Sequence, residues 1–86
     1  MKPRHEFENY LIQEGFVTEQ IGFYTKAVGA HELVIFCFDF QVFTVTVYPK
    51  GGTARPNKYI KKFRCFYHNY EDEMADVYRF LEQHSN

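Results

Sequence analysis

Cysteine is scarce in this chain, serine scarcer still, and no apolar stretch approaches the length of a membrane span. The two cysteines, Cys37 and Cys65, are too few for the disulfide framework on which a domain of 86 residues would otherwise lean. Both fall in strand-like segments and read as small buried hydrophobes, which points to a reducing, cytoplasmic setting. The one serine, Ser85, is the penultimate residue, a terminal position from which no serine nucleophile is expected. No apolar run nears the ~20 residues a spanning helix needs, so no membrane association is expected. The opening Met1-Lys2-Pro3-Arg4-His5-Glu6 carries no apolar core of a secretory leader. Repeats, low-complexity tracts and linkers are missing as well, so residues 1–86 read as one globular domain. A net charge of −1 argues against a strongly basic nucleic-acid binder and against an acidic DNA mimic.

What the chain does have is rings. Ten Phe and seven Tyr make up 20% of it. Each ring can bury roughly 150–250 Å², so a few of them close a core of this size and the remainder must lie at the surface. Clustered exposed aromatics usually mark a partner.

Periodicity divides the chain. Pro3 suits a first helical turn, Phe7, Tyr10 and Leu11 form a stripe, and Gly15 stops it, predicting a helix over about residues 4–14. From Phe16 the period shortens. Ile21, Phe23 and Ala27 alternate with Gly22, Tyr24 and Lys26, predicting a half-buried strand near 20–28. Gly29-Ala30-His31-Glu32 reads as a turn. Leu33 to Phe38 is apolar at both parities, the pattern of a central strand covered on both faces. The apolar set then passes from Val34, Phe36, Phe38 and Phe40 to Phe43, Val45 and Val47, which asks for a turn or bulge at Asp39-Phe40-Gln41. A turn is favoured, because one strand over 33–48 would be unusually long. Phe43–Tyr48 is a third strand, 49–57 a Gly/Pro-rich loop and Tyr59–Tyr67 a fourth strand. Asn69 is placed to cap a last helix whose buried face is Met74, Val77, Tyr78 and Leu81. The expected fold is α+β in the order α-β-β-β-β-α: an antiparallel meander of three to four strands with two terminal helices packed on it.

Charge is distributed unevenly. Between Phe40 and Tyr70 there is no acid but six bases: Lys50, Arg55, Lys58, Lys61, Lys62 and Arg64. The flanking segments are acidic. Tyr59, Phe63, Phe66 and Tyr67 interleave with these bases, as in surfaces that stack nucleobases and meet phosphates. The plainer alternative is that the lysines guard an exposed strand against aggregation, or pair with the acidic face of the last helix. A third reading is an acidic protein partner. The order helix, strands, helix resembles the double-stranded RNA-binding domain. That family carries a lysine-rich motif at the start of its second helix, where this chain has Asn69-Tyr70-Glu71-Asp72-Glu73. Phosphate would be repelled there, and the assignment is rejected.

The remaining motifs are weak. His5, His31, His68 and His84 lack metal-ligand spacing with one another or with either cysteine, and no metal or cofactor is expected. Cys65 and His68 are three apart, on opposite faces of a strand. His84 suits the negative pole of the last helix. Gly51-Gly52-Thr53 precedes a strand, whereas a phosphate-binding loop needs a following helix. With no catalytic constellation, the expected function is a non-enzymatic protein-binding module. It has the character of an inhibitor, encoded by a phage or other mobile element, that blocks a host protein or complex by occupying its surface. A homodimer is one form such a partner could take. The expected contact residues are Arg55, Lys58, Tyr59, Lys61, Lys62 and Arg64. The alternative of another class is nucleic-acid binding through the hairpin 50–67.

Overall fold

The structure, a computed structural model, describes residues 3–37, 39, 41–49 and 59–84. Helix α1 spans Pro3–Gln13, followed by strands β1 (Val17–Gln20), β2 (Phe23–Val28), β3 (His31–Phe36), β4 (Val42–Pro49) and β5 (Lys61–Phe66). A short 3-10 turn over Tyr67–Asn69 leads into helix α2, Tyr70–Gln83. The sheet is an antiparallel meander in the order β1-β2-β3-β4-β5. The fold is α+β, with five strands where the sequence suggested three to four.

The extra strand is β1, which precedes the strand expected over 20–28 and pairs with β2 as a hairpin. Gly22, at φ 81°, turns the chain between β1 and β2. All four residues of β1 are exposed, so no alternation in the sequence betrays the strand. β1 is also irregular: its register against β2 shifts between Thr18 and Gln20. The inward parity of β2 is the reverse of the expected one. Tyr24 is buried while Ile21 is 96% exposed at the hairpin tip and Ala27 is exposed. The turn into β3 is confined to Gly29 and Ala30, and His31 and Glu32 already belong to the strand.

β3 corrects a second expectation. Only its odd face is covered: Leu33 and Ile35 are fully buried, whereas Phe36 is 44% exposed. In the β3–β4 register Ile35 faces Val45 and Phe36 faces Thr44, so residues of equal parity share a face. Phe43, Val45 and Val47 therefore continue the face of Leu33, Ile35 and Cys37, and no exchange of faces occurs. The favoured turn is present. Within it the Gln41 N–H donates to the Asp39 carboxylate at 3.2 Å, while Phe38 and Phe40 lie outside the described residues.

Both helices lie against that odd face. Phe7 and Leu11 of α1 and Met74, Val77 and Leu81 of α2 join Leu33, Ile35, Phe43, Val45, Val47 and Cys65 in one apolar cluster. At its centre the Phe7 ring stacks on Phe43 with centroids 4.0 Å apart, and it is flanked by Tyr67 at 5.8 Å and Tyr70 at 5.4 Å. Tyr10 and Tyr70, 5.1 Å apart, close the seam between α1 and the start of α2. Gly15 ends α1 as expected, at φ 97°. Asn69 occupies the cap position of α2 but its side chain makes no capping bond. The Glu73 carboxylate instead reaches back to accept the Phe66 N–H at 3.2 Å, tying the helix to the end of β5. At the other end of α2 the Nδ1–H of His84 donates to the Phe80 carbonyl at 2.9 Å. Among the described residues no helix is long and apolar enough to cross a membrane.

Gly22 offers a test of the hairpin. A Cβ there would stand 2.8 Å from the Cys37 carbonyl oxygen, and the backbone is left-handed. Gly22→Ala is expected to destabilise the fold by about 2 kcal/mol or more, read by urea unfolding. A loss within error of zero would mean that the β1–β2 turn is not built this way.

Candidate functional site

Both helices contribute side chains to the apolar cluster on the odd face of the sheet. One face is thereby covered and the other carries no described helix. The strand registers identify what stands on that second face. One cross-strand row is Phe23, Phe36, Thr44 and Arg64. The next is Val17, Thr25, Val34, Thr46 and Lys62, and Val42 stands opposite Phe66 beyond the first. Phe36, Val17 at 58% and Phe66 at 45% are well exposed, and Phe23 and Val34 are half-buried. The Phe23 ring meets Phe36 edge-on, centroids 5.6 Å apart. Asp39, Val42, Thr44, Lys62 and Arg64 line a shallow depression of about 440 Å³ on the same face.

The basic residues expected to act together are divided by strand parity. Lys62 and Arg64 point to the helix-free face, together with Phe66. Lys61 lies on the helix side, its Nζ 5.6 Å from the centre of the Phe63 ring. Tyr59 is exposed just before β5, and the neighbouring Ile60 N–H donates to the Val47 carbonyl at 2.7 Å. Arg55 and Lys58 lie outside the described residues, as do Lys50 and the Gly51-Gly52-Thr53 segment. The suggestion that the last helix neutralises this charge fails for Lys62 and Arg64, which stand on the opposite face from α2. The ion pairs seen among the described residues, Arg4–Glu8 at 3.3 Å and Arg79–Asp76 at 2.7 Å, lie within the helices. Phe36, Phe23, Val17 and Thr44 were missed as surface residues. The sheet geometry that reveals them, two helices too few to cover two faces, is countable from the sequence.

Other features carry less. A cleft of about 220 Å³ between the β2–β3 turn and α2, lined by Val28, His31, Tyr78 and Leu81 among others, falls below the ~300–1,000 Å³ of ordinary ligand sites. The described residues include no group of three or more His, Cys, Asp and Glu able to hold a metal. Cys37 and Cys65 are buried free thiols. Burial, by withholding water from the thiolate, pushes both up to about 12, and Cys37 shares its pocket with the Tyr67 hydroxyl. Neither is a poised nucleophile.

Comparisons with protein families, with curated proteins and with solved structures find no match for the chain, so the reading of this face rests on its own residues.

The thiol chemistry is open to direct measurement. Native protein at pH 8 is expected to take up no iodoacetamide on the timescale in which urea-unfolded protein is alkylated at both cysteines, followed by mass spectrometry. Rapid labelling of either thiol in the folded state would contradict the burial described.

Proposed function

We propose that the chain is a non-enzymatic protein-binding module whose contact surface is the helix-free face of the sheet together with its basic edge, β5. One observation carries the reading. Exposed Phe36, Phe66 and Val17 share a face with Lys62 and Arg64, two cations outside the ion pairs of the helices. Burying an exposed phenylalanine that folding left accessible gives a partner roughly 1.5–3 kcal/mol. Cations at the margin select an acidic surface and reject a basic one. Such a module acts by occupying its partner's surface, the mode of an inhibitor or adaptor.

Rings beside cations also suit single-stranded nucleic acid, the second occupant considered. Two cations on the described face are few for a phosphate track, in which each neutralised phosphate adds to the salt dependence. The net charge of −1 does not compensate.

Affinity capture separates the readings. Tagged protein should retain a set of proteins from a lysate of the producing cell. Lys62→Glu/Arg64→Glu is expected to lose that set, while Asp72→Lys on the exposed side of α2 keeps it. The two charge-reversed positions are exposed on the sheet surface, so their thermal unfolding should match the parent's. Identical captures by all three proteins would refute the assignment of this face. Retention of single-stranded oligonucleotides, weakening as a power of salt concentration, would favour the nucleic-acid alternative instead.

A further inference from the structure

β5 is an edge strand, and the phase of its hydrogen bonds follows from one contact. The Tyr67 N–H donates to the Gln41 carbonyl at 3.1 Å. Bonded and unbonded pairs alternate along an antiparallel ladder. Phe43/Cys65 and Val45/Phe63 are therefore the bonded pairs, and the main chain of Lys62, Arg64 and Phe66 faces away from β4. Phe66 bears this out, because its outward N–H is the one taken by Glu73. At Lys62 and Arg64 the outward N–H and C=O groups have no such cap among the described residues. The same two residues send their cationic side chains to the helix-free face. Between them Phe63 points to the helix side, half-buried, its ring edge-on to Phe80 of α2 with centroids 5.7 Å apart.

An incoming strand would meet this edge in a fixed alternation: a main-chain site with a cation, an aromatic shelf, then a second main-chain site with a cation. We propose that β5 receives an extended acidic segment of the partner protein as an added antiparallel strand. Carboxylates at alternate positions face Lys62 and Arg64, and the apolar residue between them lies against Phe63 and Phe80. Residues directly opposite in a ladder share a face, so the recognised pattern is acidic–apolar–acidic. Main-chain bonds hold the segment and the side chains select it. A second copy of this chain is a poor occupant, because β5 against β5 would set Lys62 and Arg64 opposite like charges. The capped Phe66 N–H closes the receptive stretch at its C-terminal end.

This inference rests on the protein-binding reading above and is tested separately from it. The probe is an acetylated, amidated peptide with Glu-Val-Glu at its centre and Thr on either side, titrated into the intact protein. Affinity is read by fluorescence anisotropy, and amide shifts and hydrogen exchange by NMR. The amides of Lys62 and Arg64 are expected to shift and gain protection. N-methylation of the two glutamates keeps charge and side chains but removes the two donors aimed at β5. It is expected to weaken binding at least about tenfold, the scale of two net hydrogen bonds. Lys62→Gln/Arg64→Gln is expected to weaken the unmethylated peptide, with an unchanged circular dichroism spectrum.

Equal affinity of methylated and unmethylated peptides, protection at β1 instead of β5, or no protection of the Lys62 and Arg64 amides at millimolar peptide would each overturn strand addition. Displacement of the peptide by an oligonucleotide, with no change in affinity on methylation, would do the same in favour of a phosphate ligand. If the capture in the previous subsection depends on Lys62 and Arg64 while methylation has no effect, the face survives and the added strand does not. If capture is insensitive as well, both fall.

Discussion

The stacking of Phe7 on Phe43 decides which side of the sheet becomes the interior. Phe43 stands in β4, one strand in from the edge, and Phe7 comes from a helix at the far end of the chain. Joining them places α1 over the odd face. Tyr67 and Tyr70 close on the same ring and bring α2 down beside it. Removing a buried phenylalanine ring costs about 3–5 kcal/mol, a large fraction of the roughly 5–15 kcal/mol by which small domains are stable. The aromatic seam thus fixes helix placement, and helix placement leaves the second face of the sheet without a described helix.

That face is the ground on which function is argued. Phe36 and Val42 come from strands β3 and β4, whose inner residues Leu33, Ile35, Phe43, Val45 and Val47 are fully buried, so the middle of this face is held on a stiff, preformed support. A rigid surface loses little freedom when it binds, which favours recognition by a flat sheet over recognition by a loop. The charge arrangement adds direction. Acidic side chains of α1 and α2, Glu6 and Asp72 among them, lie on the helical side, whereas Lys62 and Arg64 stand across the sheet from them, on the face that also carries Glu32.

How much of this could be read beforehand depends on whether each signal is local. α2 was legible because Met74, Val77 and Leu81 recur at helical spacing, and all three are buried. α1 was legible from its stripe and from Gly15. β1 was not, since Val17, Thr18, Glu19 and Gln20 are all exposed and give no alternation. The inward face of β3 was not either, because Leu33 to Phe38 is apolar at both parities and only the distant helices choose between them. The basic residues of β5 are a mixed case. Their strand was recognised, and strand parity alone would have parted Lys61 from Lys62 and Arg64. The hydrogen-bond phase of the edge, which depends on Gln41 meeting Tyr67, had no signature in the residues themselves.

The irregular pairing of β1 bears on what kind of complex this sheet can form. A short strand with a register shift makes a poor template for further pairing, so growth at that border is discouraged by shape, while at β5 self-pairing is discouraged by charge. With strand addition at β5 as proposed, one foreign segment would complete the sheet and leave no second margin for another to join. Such a complex would have a finite stoichiometry, and filaments would not propagate from it.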